Sequence, residues 1–134
     1  MKIYHNQFVE QHYFPHQKLL KSSWLPSECQ LNCDEYKAQM KKLGDILQDI
    51  HPTYLLSDIR NLNCKLDNEI EAWTIDELMP VFISSGLKKQ AILLPDEQNG
   101  TAEASMCNHK NADLEIEQRY FADVNEAKAW LLST

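Results

Sequence analysis

Glycine is scarce in this chain, with only Gly44, Gly86 and Gly100 among 134 residues, and that scarcity removes a class of chemistry. Loops that cradle phosphates are built from closely spaced glycines, because only a residue without a Cβ lets the backbone wrap an anion. Three glycines this far apart make no P-loop, no G-x-G-x-x-G turn and no G-x-S-x-G nucleophile elbow. The H-E-x-x-H pair of a helical zinc site is missing as well. Long apolar runs are also lacking. No window approaches the roughly twenty apolar residues of a membrane-crossing helix, and the first twenty residues hold no uninterrupted apolar stretch. Membrane insertion and export are not expected. Basic residues are outnumbered, 13 Lys and Arg against 20 Asp and Glu, for a net charge of −7, the wrong sign for a phosphate backbone or an anionic membrane. Nucleic acid is not an expected partner.

The four cysteines, Cys29, Cys33, Cys64 and Cys107, include no C-x2-C knuckle, and their spacing matches no standard zinc finger even when His109 is added. In a chain long enough to have its own core and without a signal peptide, they are expected to be reduced cytoplasmic thiols. His5, His12 and His16 lie close in sequence, but strand alternation and Pro15 keep them off a common face. They are expected at the surface. Neither a metal nor a cofactor is expected.

What is present is a rhythm of short strands and amphipathic helices, in a length that suits a single domain over residues 1–134 with one core. The organising stretch is Tyr54-Leu55-Leu56-Ser57-Asp58-Ile59-Arg60, an apolar run after His51-Pro52 that ends in an acid and a base. Its length and composition suit a strand buried on both faces. Before it, Ile3 to Tyr13 mixes aromatic, β-branched and polar residues without helical spacing and predicts one strand. The Phe14-Pro15-His16-Gln17 segment predicts a turn, and Leu19 to Trp24 a returning strand that Pro26 ends, so the pair forms a hairpin. Asn32 and Glu35 then carry the spacing of a capping box, and Tyr36, Met40, Leu43, Leu47 and Ile50 make one apolar stripe. Pro52 closes that helix.

After the central strand, Asp67 offers an N-cap for a helix carrying Ile70, Trp73, Leu78, Val81 and Phe82. Pro80 interrupts it, so a kink or a fresh short helix is expected there, with Gly86 as the C-cap. Gln90 to Leu94 is a second continuous apolar run and predicts a buried strand adjacent and parallel to the first. A loop follows over Pro95–Gly100, then a short helix over Thr101–Asn108. Leu114 to Phe121 alternates as a half-buried edge strand, expected to run antiparallel, and Asp123 with Glu126 caps a last helix striped by Val124, Ala127, Trp130 and Leu131. The order is β-β-α-β-α-β-(α)-β-α, an α/β domain whose mixed sheet of four or five strands is largely parallel.

The Trp24 strand, the Glu35-Tyr36-Lys37 helix start, Leu55 to Arg60, Trp73, Gly86-Leu87-Lys88-Lys89-Gln90-Ala91 and the terminal Tyr120-Phe121-Ala122-Asp123 with Glu126-Ala127 and Trp130-Leu131 resemble the STAS-like, SpoIIAA-like bacterial proteins over nearly the whole chain. The resemblance implies a four- or five-stranded sheet packed with helices, and kinship with anti-sigma-factor antagonists and the cytoplasmic domains of anion transporters. In the antagonists, a serine at the start of the helix after the central strand is phosphorylated to switch partner binding. Here that segment, Asn61-Leu62-Asn63-Cys64-Lys65-Leu66-Asp67, holds no serine or threonine. A phosphoswitch of that type is not expected.

Candidate ligand- or partner-contacting residues gather at the end of the central strand, because open α/β sheets bind at the carboxyl ends of their strands. They are Asp58 and Arg60, Asn63 just beyond, and Trp73 on the next helix. For Asp58 and Arg60 a structural ion pair outweighs a recognition site, since an Arg fork satisfies a carboxylate well. Trp73 lies on the apolar stripe with Ile70 and is expected in the core. No catalytic residue is identified. A non-enzymatic regulatory or protein-interaction domain is the leading expectation, with an unnamed protein partner and a two-fold dimer as the expected oligomer. The alternative is a small-ligand or lipid-binding protein that holds an apolar molecule in a cleft lined by Trp73, Met79 and Phe82.

Overall fold

The computed structural model describes residues 2–26, 32–62, 68–94 and 116–133. Six strands form one sheet in chain order: β1 (Lys2–His5), β2 (Val9–Phe14), β3 (Leu19–Trp24), β4 (Tyr54–Asp58), β5 (Lys89–Leu93) and β6 (Glu117–Phe121). The first two pairings are antiparallel and the last three parallel. The helices are α1 (Cys33–Ile50), α2 (Asn68–Trp73), α3 (Met79–Ser84) and α4 (Val124–Leu131), with a π-helical turn, Thr74–Leu78, between α2 and α3.

The architecture is the expected mixed α/β sheet with β4 and β5 as parallel neighbours, and it departs from expectation at both ends. The N-terminal stretch is two strands, not one, because Asn6 reverses the chain: its side-chain oxygen accepts from the Phe8 and Val9 amides at 2.8 and 3.0 Å, and its own amide donates to Val9 O. Asn side chains bond nearby backbone in this way and so compete with a continuing strand. At the other end β6 is parallel to β5, not antiparallel, with Lys89 opposite Glu117 and Leu93 opposite Phe121. A parallel neighbour needs a crossover of a dozen residues or more, and the chain between Leu93 and Glu117 is long enough to supply it. Among the described residues the sheet therefore has six strands rather than four or five, and β6 does lie at its edge. The Asp67 cap, the Pro95–Gly100 loop and the Thr101–Asn108 helix lie outside the described residues.

Local chemistry explains the helices. Around α1 the capping box closes as the sequence implies: Asn32 Oδ1 accepts from the Glu35 amide at 2.8 Å, and Glu35 Oε1 accepts from the Asn32 amide at 3.0 Å. Its far end stops at His51, left-handed at φ 56°, whose amide donates to Leu47 O and whose Nδ1 donates to Ser85 O at 3.0 Å. Pro80 has no N–H to give, and the chain absorbs it in the preceding turn: the Met79 amide bonds back to Thr74 O five residues away, and α3 starts afresh with Pro80 in its first turn. Gly86 leaves that helix at φ 90°. At α4, Asp123 Oδ2 accepts from the Glu126 amide, one half of the expected box.

Strand alternation divides the core between the two faces of the sheet. On one face Leu20 and Leu55 pack with Leu43, Ile46 and Leu47 of α1 and with Leu78, Met79 and Phe82 of the interrupted helix. On the other, Leu19, Leu56, Ala91 and Leu93 pack with Ala127 and Leu131 of α4. Lys89 ties α4 down, its Nζ donating to Trp130 O and Ser133 O at 3.1 and 3.0 Å. Leu47 is fully buried under this arrangement, so Leu47→Ala should cost about 2–5 kcal/mol through lost contacts and a residual cavity. Urea denaturation checks it, and a midpoint unchanged from the parent would contradict this placement of α1.

Candidate functional site

Strand β4 ends at Asp58, which is buried to 5% exposure at the carboxyl end of the parallel strands. Alternation sends it to the face of Leu56, the face that α4 covers. A carboxylate in that position needs a charged partner close by, since an unpaired buried charge is strongly unfavourable. Arg60 supplies it. Its Nε donates to Asp58 Oδ1 at 2.9 Å, one terminal nitrogen donates to Oδ2 at 2.9 Å, and its backbone amide adds a third bond to Oδ1 at 3.1 Å. Two residues of separation bring the guanidinium fork back over the strand end, an arrangement that fixes direction as well as distance. The following backbone is held too: Ile59 donates to Leu93 O on β5, and Leu62 to Ile59 O.

Burial raises the cost of ionising Asp58. The Arg60 side-chain bonds, the Arg60 amide, and the positive charges of Arg60 and Lys21 outweigh that cost, and the carboxyl lies below its ordinary value. Arg60 keeps 41% of its side chain exposed while that of Asp58 keeps 7%, so the carboxylate is sequestered and the guanidinium faces outward. The geometry makes this an ion pair that closes the strand end.

Trp73 packs against the core with Ile70 as its place on the apolar stripe implied, but it is half-buried at the margin rather than inside. Its ring meets Tyr36 edge-on at 6.5 Å, Tyr36 stacks on Trp24 at 5.6 Å, and Lys37 Nζ lies 5.8 Å from the Trp73 ring centre. Trp73 thus belongs with Trp24 on the face opposite Asp58, and the structure does not join it to the Asp58–Arg60 pair. Asn63 lies outside the described residues, as do Cys29, Cys64, Cys107 and His109. Cys33 is half-buried at the start of α1. His5 and His16 are exposed and His12 half-buried. Among the described residues no group of three or more His, Cys, Asp or Glu side chains is placed to hold a metal ion. Met79 and Phe82, expected to line an apolar cleft, are buried at 8% and 2% exposure in the core against Leu20 and Leu55. They are part of the packing.

Sequence reasoning missed a row of polar side chains, Gln11, Ser22, Ser57, Gln90 and Gln118, that crosses the sheet. The signal was there in principle. Gln11, Ser22, Ser57 and Gln118 each stand at a strand position whose i±2 neighbours are apolar or aromatic, and Gln90 stands between Lys88 and Ile92, but the strand register was needed to align them.

No protein-family model matches the sequence, and a search of curated proteins finds no match. Among solved structures the fold is similar to the crystal structure of an uncharacterized protein of the DUF3478 family, with a SpoIIAA-like fold, from Shewanella loihica PV-4. The two align over 96% of this chain and 98% of that one, with a TM-score of 0.59 and 18% sequence identity. The chain therefore has a SpoIIAA-like fold, as the sequence resemblance implied.

Two outcomes follow from the ion pair. Arg60→Ala should destabilise the protein by about 1–3 kcal/mol, because it strands a buried acceptor, and a thermal melt indistinguishable from the parent would show the pair to be structurally idle. The second concerns acid. A folded-state pKa below the unfolded one means that the unfolded chain binds more protons between the two values, so the pair's contribution is whole above about pH 4 and fades as pH falls through the lowered pKa. Melts at descending pH should therefore show the parent losing more stability below about pH 4 than Arg60→Ala does. Equal losses would sink this assignment.

Proposed function

We propose that the protein is a non-enzymatic regulatory domain that works by binding another protein, without the phosphorylation switch of the anti-sigma-factor antagonists. The observation that carries this reading is the bidentate Asp58–Arg60 pair, because it engages, as structure, the acid and base that an α/β sheet delivers to its usual site of chemistry. The SpoIIAA-like fold and the kinship with regulatory domains that the sequence resemblance implies support the same class. Fold alone does not carry function, so the test must be direct.

The missing switch rests on sequence and burial together. Asn61 to Asp67 holds no hydroxyl residue, and Ser57, the closest serine upstream, is buried inside β4, where its Oγ accepts from Gln90 at 3.0 Å. A kinase reaches such a hydroxyl only by opening the sheet. Where this segment carries regulation at all, it does so through a partner's contacts rather than an added phosphate.

In-cell cross-linking of the full chain in its native host, followed by reconstitution of the captured complex from purified components, tests the reading. A complex of fixed stoichiometry with another protein or a second copy of this chain, and no phosphate on residues 57–67, is expected. Failure of every captured candidate to reconstitute, or stoichiometric phosphate in that segment, would overturn it.

A further inference from the structure

Five polar side chains form a single band across the sheet, on the face that α1 and α3 cover. Gln11 of β2 stands opposite Ser22 of β3, and Ser22 opposite Ser57 of β4. From there Gln90 of β5 donates through Nε2 to Ser57 Oγ at 3.0 Å, and Gln118 of β6 donates through Nε2 to Gln90 Oε1 at 2.7 Å. Gln11, Ser22, Ser57 and Gln90 are all buried, Gln11 to 1% exposure. The band divides the apolar core of that face. Val9 and Trp24, two residues from Gln11 and Ser22, belong with Tyr36 and Ile70 to one cluster, while Leu20 and Leu55 belong with Leu43 and Leu47 to another.

The band has a direction. Gln118 donates to Gln90 and Gln90 to Ser57, so Ser57 Oγ is used as an acceptor and its O–H is the next donor in line. At the opposite end Gln11 Oε1 is a buried acceptor with no hydrogen-bond partner. Native interiors rarely leave such an atom unmatched. Ser22 lies between the two in the ladder, and the strands that carry Gln11 and Ser57 are two sheet spacings apart, roughly 10 Å. An oxygen that both donates and accepts joins polar atoms up to about 6 Å apart, enough to reach from Gln11 to the Ser22 hydroxyl one strand away and so to carry the series toward Ser57.

We propose that this position binds a single small hydroxylic guest, either a water molecule or the hydroxyl of a small uncharged organic molecule, that donates to Gln11 Oε1 and accepts from the Ser57 or Ser22 hydroxyl. The chemistry of the band limits the guest to a neutral one, since its side chains are all amides and hydroxyls, and an ion there would be desolvated without a counter-charge. Two or three polar partners are what a buried water takes in protein interiors. Tyr4, Met40 and Trp73 are partly buried and pack against both clusters that flank the band, so they link the two clusters. Directly after Trp73 the helix loosens into the π-helical turn, a feature that recurs at functional sites.

A high-resolution crystal structure of the full chain, paired with that of Gln11→Met, tests this. The parent is expected to show an oxygen within about 3.2 Å of Gln11 Oε1 and of Ser22 or Ser57 Oγ, and the variant, which replaces the acceptor by an apolar side chain of similar length, is expected to lose it. Native mass spectrometry of the untreated parent separates the sources: added mass on the folded ion assigns an organic hydroxyl, and the bare chain mass assigns water. Should Gln11→Met fail to fold, Ser22→Ala takes its place, with the oxygen displaced or lost as the expected result. A parent structure with the Gln11 amide bonded to a protein group and no oxygen beside it would overturn the proposal. So would an oxygen that stays unmoved in the variant.

Discussion

Two-sided burial of β4 is the constraint on which the rest of the structure depends. Leu55 faces α1 and α3, Leu56 faces α4, and both have no exposure at all, so a strand of five residues joins the two halves of the core. A one-residue slip in its register would exchange these faces and bring Ser57 and Asp58 to each other's positions. The pairings to β3 and β5 hold it against that slip along its whole length. Because Leu55 to Asp58 are all buried, each polar side chain among them needs a partner of its own.

The two polar residues of β4 meet that demand on opposite faces and by different means. Asp58 is matched locally, by a guanidinium two residues further along the chain and by the amide of the same residue. Ser57 is matched from a distance, by Gln90 and through it Gln118, and so belongs to a band that spans the sheet. Burying the carboxylate of such a pair adds less to stability than apolar packing of the same volume would, yet losing its partner is costly. The pair therefore acts chiefly as a constraint on where β4 ends and where the chain turns.

Much of this was legible in the sequence wherever a single element carried its own signal. The Asn32 and Glu35 box, the stripe from Tyr36 to Ile50, the apolar runs of β4 and β5 and the break at Pro80 all depend on neighbours within a few residues, and each lies close to where pattern placed it. The Asp58–Arg60 pairing was legible for the same reason. Features set by distant partners were not. The reversal at Asn6 hides in a stretch with strand composition throughout, and it depends on one side chain bonding two amides. The parallel direction of β6 depends on the long connection before it, and the polar band on the register of five strands. Met79 and Phe82 looked free to line a cleft only until the π-helical turn set the rotation of α3 and turned them into the core.

The central claim is that Asp58 and Arg60 act on each other as one structural unit. A double-mutant cycle on folding stability, built from Asp58→Asn, Arg60→Ala and the double variant, measures that coupling and cancels what each side chain contributes alone. A pair that closes the end of β4 predicts a coupling of about 1–3 kcal/mol, with the double variant less destabilised than the sum of the single ones. Losses that add to within about 0.5 kcal/mol would contradict it, and would mean that the two side chains act independently.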